Sequence, residues 1–144
     1  MVAPPIPARD STPTRAQGLM SRRFTLVPSD ILEATQDFLA HVARDPAVVI
    51  DVDAETCVYF AGSPEVAKAA PKGEGLACLR VLGSGVFHVD TDGYEASVVH
   101  LAHYVGPMLR AYQCKVFDDE SGKDLTYEAR ERPDMLFEAD PGFQ

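Results

Sequence analysis

The chain has no apolar run longer than a few residues, so no segment can cross a bilayer as a helix. Its first 23 residues lack the apolar stretch that a secretory signal requires. Ser21-Arg22-Arg23-Phe24 echoes a twin-arginine export motif, but Pro28, Asp30 and Glu33 stand where that motif needs apolar residues. A cytoplasmic location is the expectation.

Basic residues are also scarce. There are 13 Lys and Arg against 22 Asp and Glu, a net charge of -9. The imbalance is uneven: residues 1–23 carry +3, and residues 24–144 carry -12. A body of that sign repels nucleic-acid phosphates and anionic membranes and attracts basic partners. No basic patch with interleaved aromatics is present, which argues against nucleic-acid binding.

Catalytic signatures are missing as well. Gly83-Ser84-Gly85 and Gly73-Glu74-Gly75 lack the lysine and spacing of a phosphate loop. The G-x-S-x-G nucleophile elbow does not occur. His100-Leu-Ala-His103 lacks the glutamate of a helical zinc motif. The three cysteines, Cys57, Cys78 and Cys114, are an odd number with no close pair in sequence. Each lies among apolar neighbours, which reads as buried free thiols in a reducing compartment. Cys114 follows a helix C-terminus, where the dipole disfavours a thiolate. No cofactor and no metal are expected.

What remains is a pattern of elements. Residues 1–20 are rich in proline and small polar residues and read as a flexible arm without a fold of their own. Residues 21–140 read as one domain, and 141–144 as a frayed tail. Phe24–Val27 suits a strand. Ser29 is the expected cap of a helix whose apolar face holds Ile31, Leu32, Thr35, Phe38, Leu39 and Val42.

Ala47–Asp53 and Cys57–Ala61 suit a hairpin, with Val48, Ile50 and Val52 inward and Asp51, Asp53 and Glu55 on the wet side. Ser63-Pro64-Glu65 opens a short helix, and residues 71–75 a mobile loop. Leu76–Leu82 and Val86–Asp90 form a second hairpin around Gly83-Ser84-Gly85. A long helix follows, with Tyr94, Val98, Leu101, Ala102, Val105, Met108, Leu109 and Tyr112 on one stripe and Pro107 opposite. Gln113–Phe117 is a last strand, and Thr126 is the expected cap of a short helix ended by Pro133. Met135, Leu136 and Phe137 can dock as a strap. The fold class is α+β: two layers, a mostly antiparallel sheet covered on one face by two amphipathic helices.

Two surfaces are candidates for contact. One is the outer face of residues 94–112, poor in carboxylates and carrying His100, His103 and Arg110. The other is the acidic segment 118–140, with Asp118, Asp119, Glu120, Asp124 and Glu128 as candidate partner-binding residues. Small, acidic α+β domains of this kind look like bacterial immunity or antitoxin-type inhibitors, at the level of class alone. That likeness implies a non-catalytic protein-binding module for a basic partner such as a toxin. The alternatives are a homodimer formed through the outer helix face, and a small metal-dependent enzyme using His88, Asp90 and Asp92 with His100.

Overall fold

The computed structural model describes residues 22–52 and 55–137. The arm at 1–20, Asp53 of the first hairpin turn, Glu138, Asp140 and the tail at 141–144 lie outside the described residues. Six strands form one sheet: β1 (Arg23–Val27), β2 (Val48–Asp51), β3 (Thr56–Phe60), β4 (Ala77–Val81), β5 (Phe87–Asp90) and β6 (Lys115–Asp118). The helices are α1 (Ile31–Val42), α2 (Pro64–Ala69), α3 (Glu95–Ala111) and α4 (Thr126–Glu131), followed by a 3-10 turn at Pro133–Phe137.

The strands lie in the order β2-β3-β4-β5-β1-β6, and every neighbouring pair is antiparallel. The α+β class is therefore as expected. The strand order is not simply that of a meander. β1, the first strand in the chain, inserts between β5 and β6. β5 and β6 each run antiparallel to β1, so they are parallel to one another, and α3 makes the crossover between them. Parallel strands need a connection of that length.

Alternation sorts side chains to two faces. Phe24, Leu26, Val58, Phe60, Ala77, Leu79, Phe87, Val89 and Val116 form the buried face of the sheet. Ala34, Phe38 and Val42 of α1 and Val98, Leu101, Val105, Met108 and Leu109 of α3 pack on it. Phe38 tilts against Phe87, and its edge meets Tyr104. The stripe read for α3 is thus its buried stripe, and Pro107 is exposed. The strap also docks: Leu136 and Phe137 are buried, with Phe137 edge-on to Phe24.

Several local expectations are corrected. Asp30, not Ser29, caps α1, accepting the Glu33 N–H at 3.0 Å. The Ser29 hydroxyl instead donates to the Tyr112 carbonyl. Leu32 is 67% exposed, because the buried stripe of α1 follows Ala34, Phe38 and Val42 at i,i+4. Ile50 and Val52 are 41% and 67% exposed, because β2 is the edge strand of the sheet and only its Val48 end packs against the main core. Thr126 does not cap α4; its hydroxyl accepts the Val116 N–H of β6. Gln113 ends α3 at φ 46, the left-handed conformation that usually goes to glycine.

Ser97 is a buried polar residue that the apolar stripe did not predict. Its hydroxyl accepts the Ala77 N–H at 2.7 Å and donates to the Phe60 carbonyl at 2.5 Å. One side chain thereby ties α3 to the ends of β3 and β4. A second, smaller cluster sits on the opposite face of the sheet. Ala67, Ala70 and Leu76 around α2 cover Val49 and Tyr59 there. Gly73, at φ 77, lies directly against the Tyr59 ring, leaving no room for a Cβ.

Candidate functional site

Among the described residues, no helix packs on the second face of the sheet apart from the patch under α2. The register writes its contents as two rows across the strands. One row runs Asp51, Cys57, Arg80, His88, Thr25 and Phe117. The other runs Val49, Tyr59, Cys78, Asp90 and Arg23. These residues alternate with the core residues on every strand, so the core-forming pattern itself delivers them to this face.

The middle of the two rows is concave. A cavity of about 400 Å³ is lined by Arg23, Cys78, Arg80, His88, Asp90 and Asp119. Arg23 Nε lies 3.4 Å from Asp90 Oδ2, and Arg80 Nε lies 3.3 Å from Glu55 Oε1. Thr25 donates its hydroxyl to Asp119 Oδ1 at 2.5 Å, and the other carboxylate oxygen faces His88 Nε2 at 4.0 Å. A broader groove of about 680 Å³ continues past β1 to the turn after β6. Its walls include Asp90, Asp92, Asp118, Asp119 and Glu120, with Arg22, Arg23 and Lys123.

The acidic residues of this groove differ in freedom. Asp118 accepts both the hydroxyl and the N–H of Ser121, and these bonds hold its pKa below the usual carboxylate value. Glu120 is exposed. Asp124, beyond the groove, accepts the Thr126 N–H, and its pKa is lowered by Thr126. Asp124 is thus a turn residue. Glu128 sits half-buried in the first turn of α4.

The histidines of α3 part company. His103 and Arg110 are exposed on the outer face with Ala96, Pro107 and Ala111, so the docked strap does not cover that face. His100 has a side chain only 13% exposed. Its Nε2 donates to Asp45 Oδ2 at 2.8 Å, and its Nδ1 accepts the Gly62 N–H at 3.0 Å. Tyr104 donates to the same Asp45 oxygen at 2.8 Å, and the Ala47 N–H binds the other. Burial opposes ionisation of Asp45, but the bonds from Ala47, His100 and Tyr104 outweigh it and lower its pKa. His100 is therefore a latch joining α3 to the chain after α1 and after β3. It is remote from His88 in this arrangement, and its two ring nitrogens are already engaged.

His88 and Asp90 do share a face, as their alternation implied. Asp90 spends one oxygen on the Asp92 N–H at 2.9 Å. No group of three or more His, Cys, Asp or Glu placed to hold a metal ion occurs among the described residues. No helix among them is long and apolar enough to cross a membrane.

The thiol pattern departs most from expectation. All three cysteines are free, and Cys57 and Cys114 are buried. Cys114 matches the reading of an inert core thiol, with burial pushing its pKa up to about 11. Cys57 and Cys78, however, are neighbours on β3 and β4. Cys57 stands opposite Arg80, and Cys78 opposite Tyr59. Cys57 therefore shares this face with Tyr59 two residues along its own strand, with Arg80 directly across and with Cys78 on the diagonal. These neighbours lower its pKa, Cys78 first among them, against the opposing effect of burial. The Cys78 thiol is raised by its Cys57 neighbour, by burial and by facing Asp90. Period-2 alternation does place Cys57 with Tyr59 and Cys78 with Arg80. That the two pairs meet depends on β3 and β4 pairing across α2, for which the sequence carries no local signal.

No protein-family model, no curated protein and no solved structure matches this chain.

Proposed function

We propose that the protein is a non-catalytic binding module that receives a basic segment of a partner protein in the groove along β5, β1 and β6. One observation carries the reading: Asp118, Asp119 and Glu120 converge with Asp90 and Asp92 around a single open groove. The body of the chain is strongly acidic, so the long-range field draws basic partners while the groove supplies their local contacts. Toxin-neutralising inhibitors act in this way, which makes a basic toxin a natural partner class.

The test is affinity capture from the native host with the wild-type chain and with a variant carrying Asp118→Asn, Asp119→Asn and Glu120→Gln. The wild type should retain a basic protein that elutes as salt rises, and the variant should lose most of it. Capture of no partner, or equal capture by both chains, would count against the reading.

A second reading has its own observation. Val99 is 47% exposed on the flank of α3 beside Ala96 and His103, so an apolar spot lies on a face poor in carboxylates. That face suits contact with a second copy of the chain. Sedimentation should then show a concentration-dependent dimer that Val99→Lys abolishes, and a strict monomer would end this reading.

A further inference from the structure

Four side chains on β3 and β4 form a two-by-two block on the open face: Cys57 and Tyr59 on one strand, Arg80 and Cys78 on the next. Cys78 and Arg80 line the 400 Å³ cavity, and Cys57, directly opposite Arg80, is 7% exposed. Charge divides the two thiols. Cys57 stands opposite the Arg80 guanidinium with Tyr59 beside it on the same face, and these neighbours favour a thiolate. Cys78 faces Asp90, which disfavours one. A reactive thiolate beside a protonated second thiol is the arrangement that a thiol oxidation requires. A purely structural thiol needs no cavity, and Cys114, packed in the main core, lines none of the cavities described above.

We propose that Cys57 and Cys78 are a reversible oxidation site for hydroperoxides, independent of the acidic groove. At 7% exposure Cys57 favours a small oxidant such as hydrogen peroxide over a bulky disulfide. The Cys57 thiolate attacks the peroxide: an S–O bond forms, the O–O bond breaks, and the leaving hydroxide takes a proton to become water. Cys57 is then a sulfenic acid. The Cys78 sulfur attacks the Cys57 sulfur, an S–S bond forms, the S–O bond breaks, and hydroxide leaves with the Cys78 proton as a second water. The balance is two thiols and one hydrogen peroxide giving one disulfide and two waters, with each sulfur oxidised by one electron.

The geometry also indicates that the product is easily reduced. Diagonal positions on adjacent antiparallel strands lie farther apart than a relaxed disulfide prefers. Closing the bond must shear β3 against β4, and strained disulfides are the labile ones.

The experiment treats the full chain with hydrogen peroxide, then alkylates it in denaturant and reads each cysteine by mass spectrometry. A Cys57–Cys78 cross-linked peptide should appear, Cys114 should remain alkylated, and dithiothreitol should restore both thiols. Cys78→Ser should stop at a sulfenic acid on Cys57, trapped by dimedone, and Cys57→Ser should give neither product. Arg80 is exposed, so Arg80→Gln should keep the fold. It should slow peroxide oxidation of Cys57 several-fold and shift the pH profile of that rate upward. In the native protein, Cys57 should react at least about tenfold faster than Cys114. Three results would each overturn the proposal: Cys57 and Cys78 both alkylated after peroxide, Cys114 oxidised at the rate of Cys57, or an unchanged pH profile in Arg80→Gln.

Discussion

Phe87 and Val89 alternate along β5 with His88 and Asp90, and the two pairs live in opposite surroundings. The first pair is sealed under α1 and α3. The second pair looks out over a cavity whose lining is mostly charged side chains with the Cys78 thiol among them. The same split recurs on β4, between Ala77 and Leu79 on one side and Cys78 and Arg80 on the other, and on β1 between Phe24 and Leu26 and Arg23 and Thr25. One face is accounted for by the need to bury apolar surface. The other carries cysteine, histidine, arginine and aspartate that burial does not demand. The difference locates the residues whose presence calls for a reason other than stability.

Substitutions can break this contrast or sharpen it. The largest effect belongs to the covered face. Phe87→Ala should cost about 4 kcal/mol in urea unfolding, since it removes a fully buried ring that packs on Phe38. Ser97→Ala comes next. It leaves the Ala77 N–H and the Phe60 carbonyl without their partner in a buried site, at a cost of about 2–3 kcal/mol.

The Asp45 latch is smaller and depends on pH. The folded pKa of Asp45 lies below the ordinary 3.8, so its ionised form stabilises the fold above 3.8 and that stability is lost as pH falls through the folded value. Asp45→Asn should cost about 1–2 kcal/mol near neutral pH and flatten the acid limb of the stability curve. An acid limb unchanged by the substitution would show that other carboxylates control it.

The smallest effect belongs to the open face. His88→Ala should change stability by no more than about 0.5 kcal/mol, because the side chain borders a cavity and completes no buried network. A large loss there would mean that the open face is structural after all, and the contrast would collapse.

The sequence spoke clearly wherever the signal was local. The stripe of α3 and the two hairpins follow from short-range periodicity and turn residues, and Leu136 and Phe137 stand out as apolar residues in an acidic stretch. Ala34 is hard to read as buried because a small side chain carries a weak apolar signal, and Leu32 reads as inward because a large one carries a strong signal. Non-local facts were not legible. Nothing near residue 24 announces that β1 will sit between strands ending at Asp90 and Asp118. The meeting of Cys57 with Cys78 depends on pairing across α2. The joining of Asp90 and Asp92 to the acidic turn depends on β1 lying between β5 and β6. In the candidate site, residue types were readable and their company was not.

The position of β1 carries a consequence for how the protein is made. Among the six described strands β1 is made first, yet both of its partners come later, β5 fifth and β6 sixth. The Thr25–Asp119 bond alone spans 94 positions in sequence. Such long-range closure slows folding, and the sheet cannot be completed until residues 115–118 have emerged. During that interval β1 offers an unpaired edge where β6 will lie, an invitation to wrong partners. A nascent chain stalled before β6 should therefore be the species most dependent on chaperones.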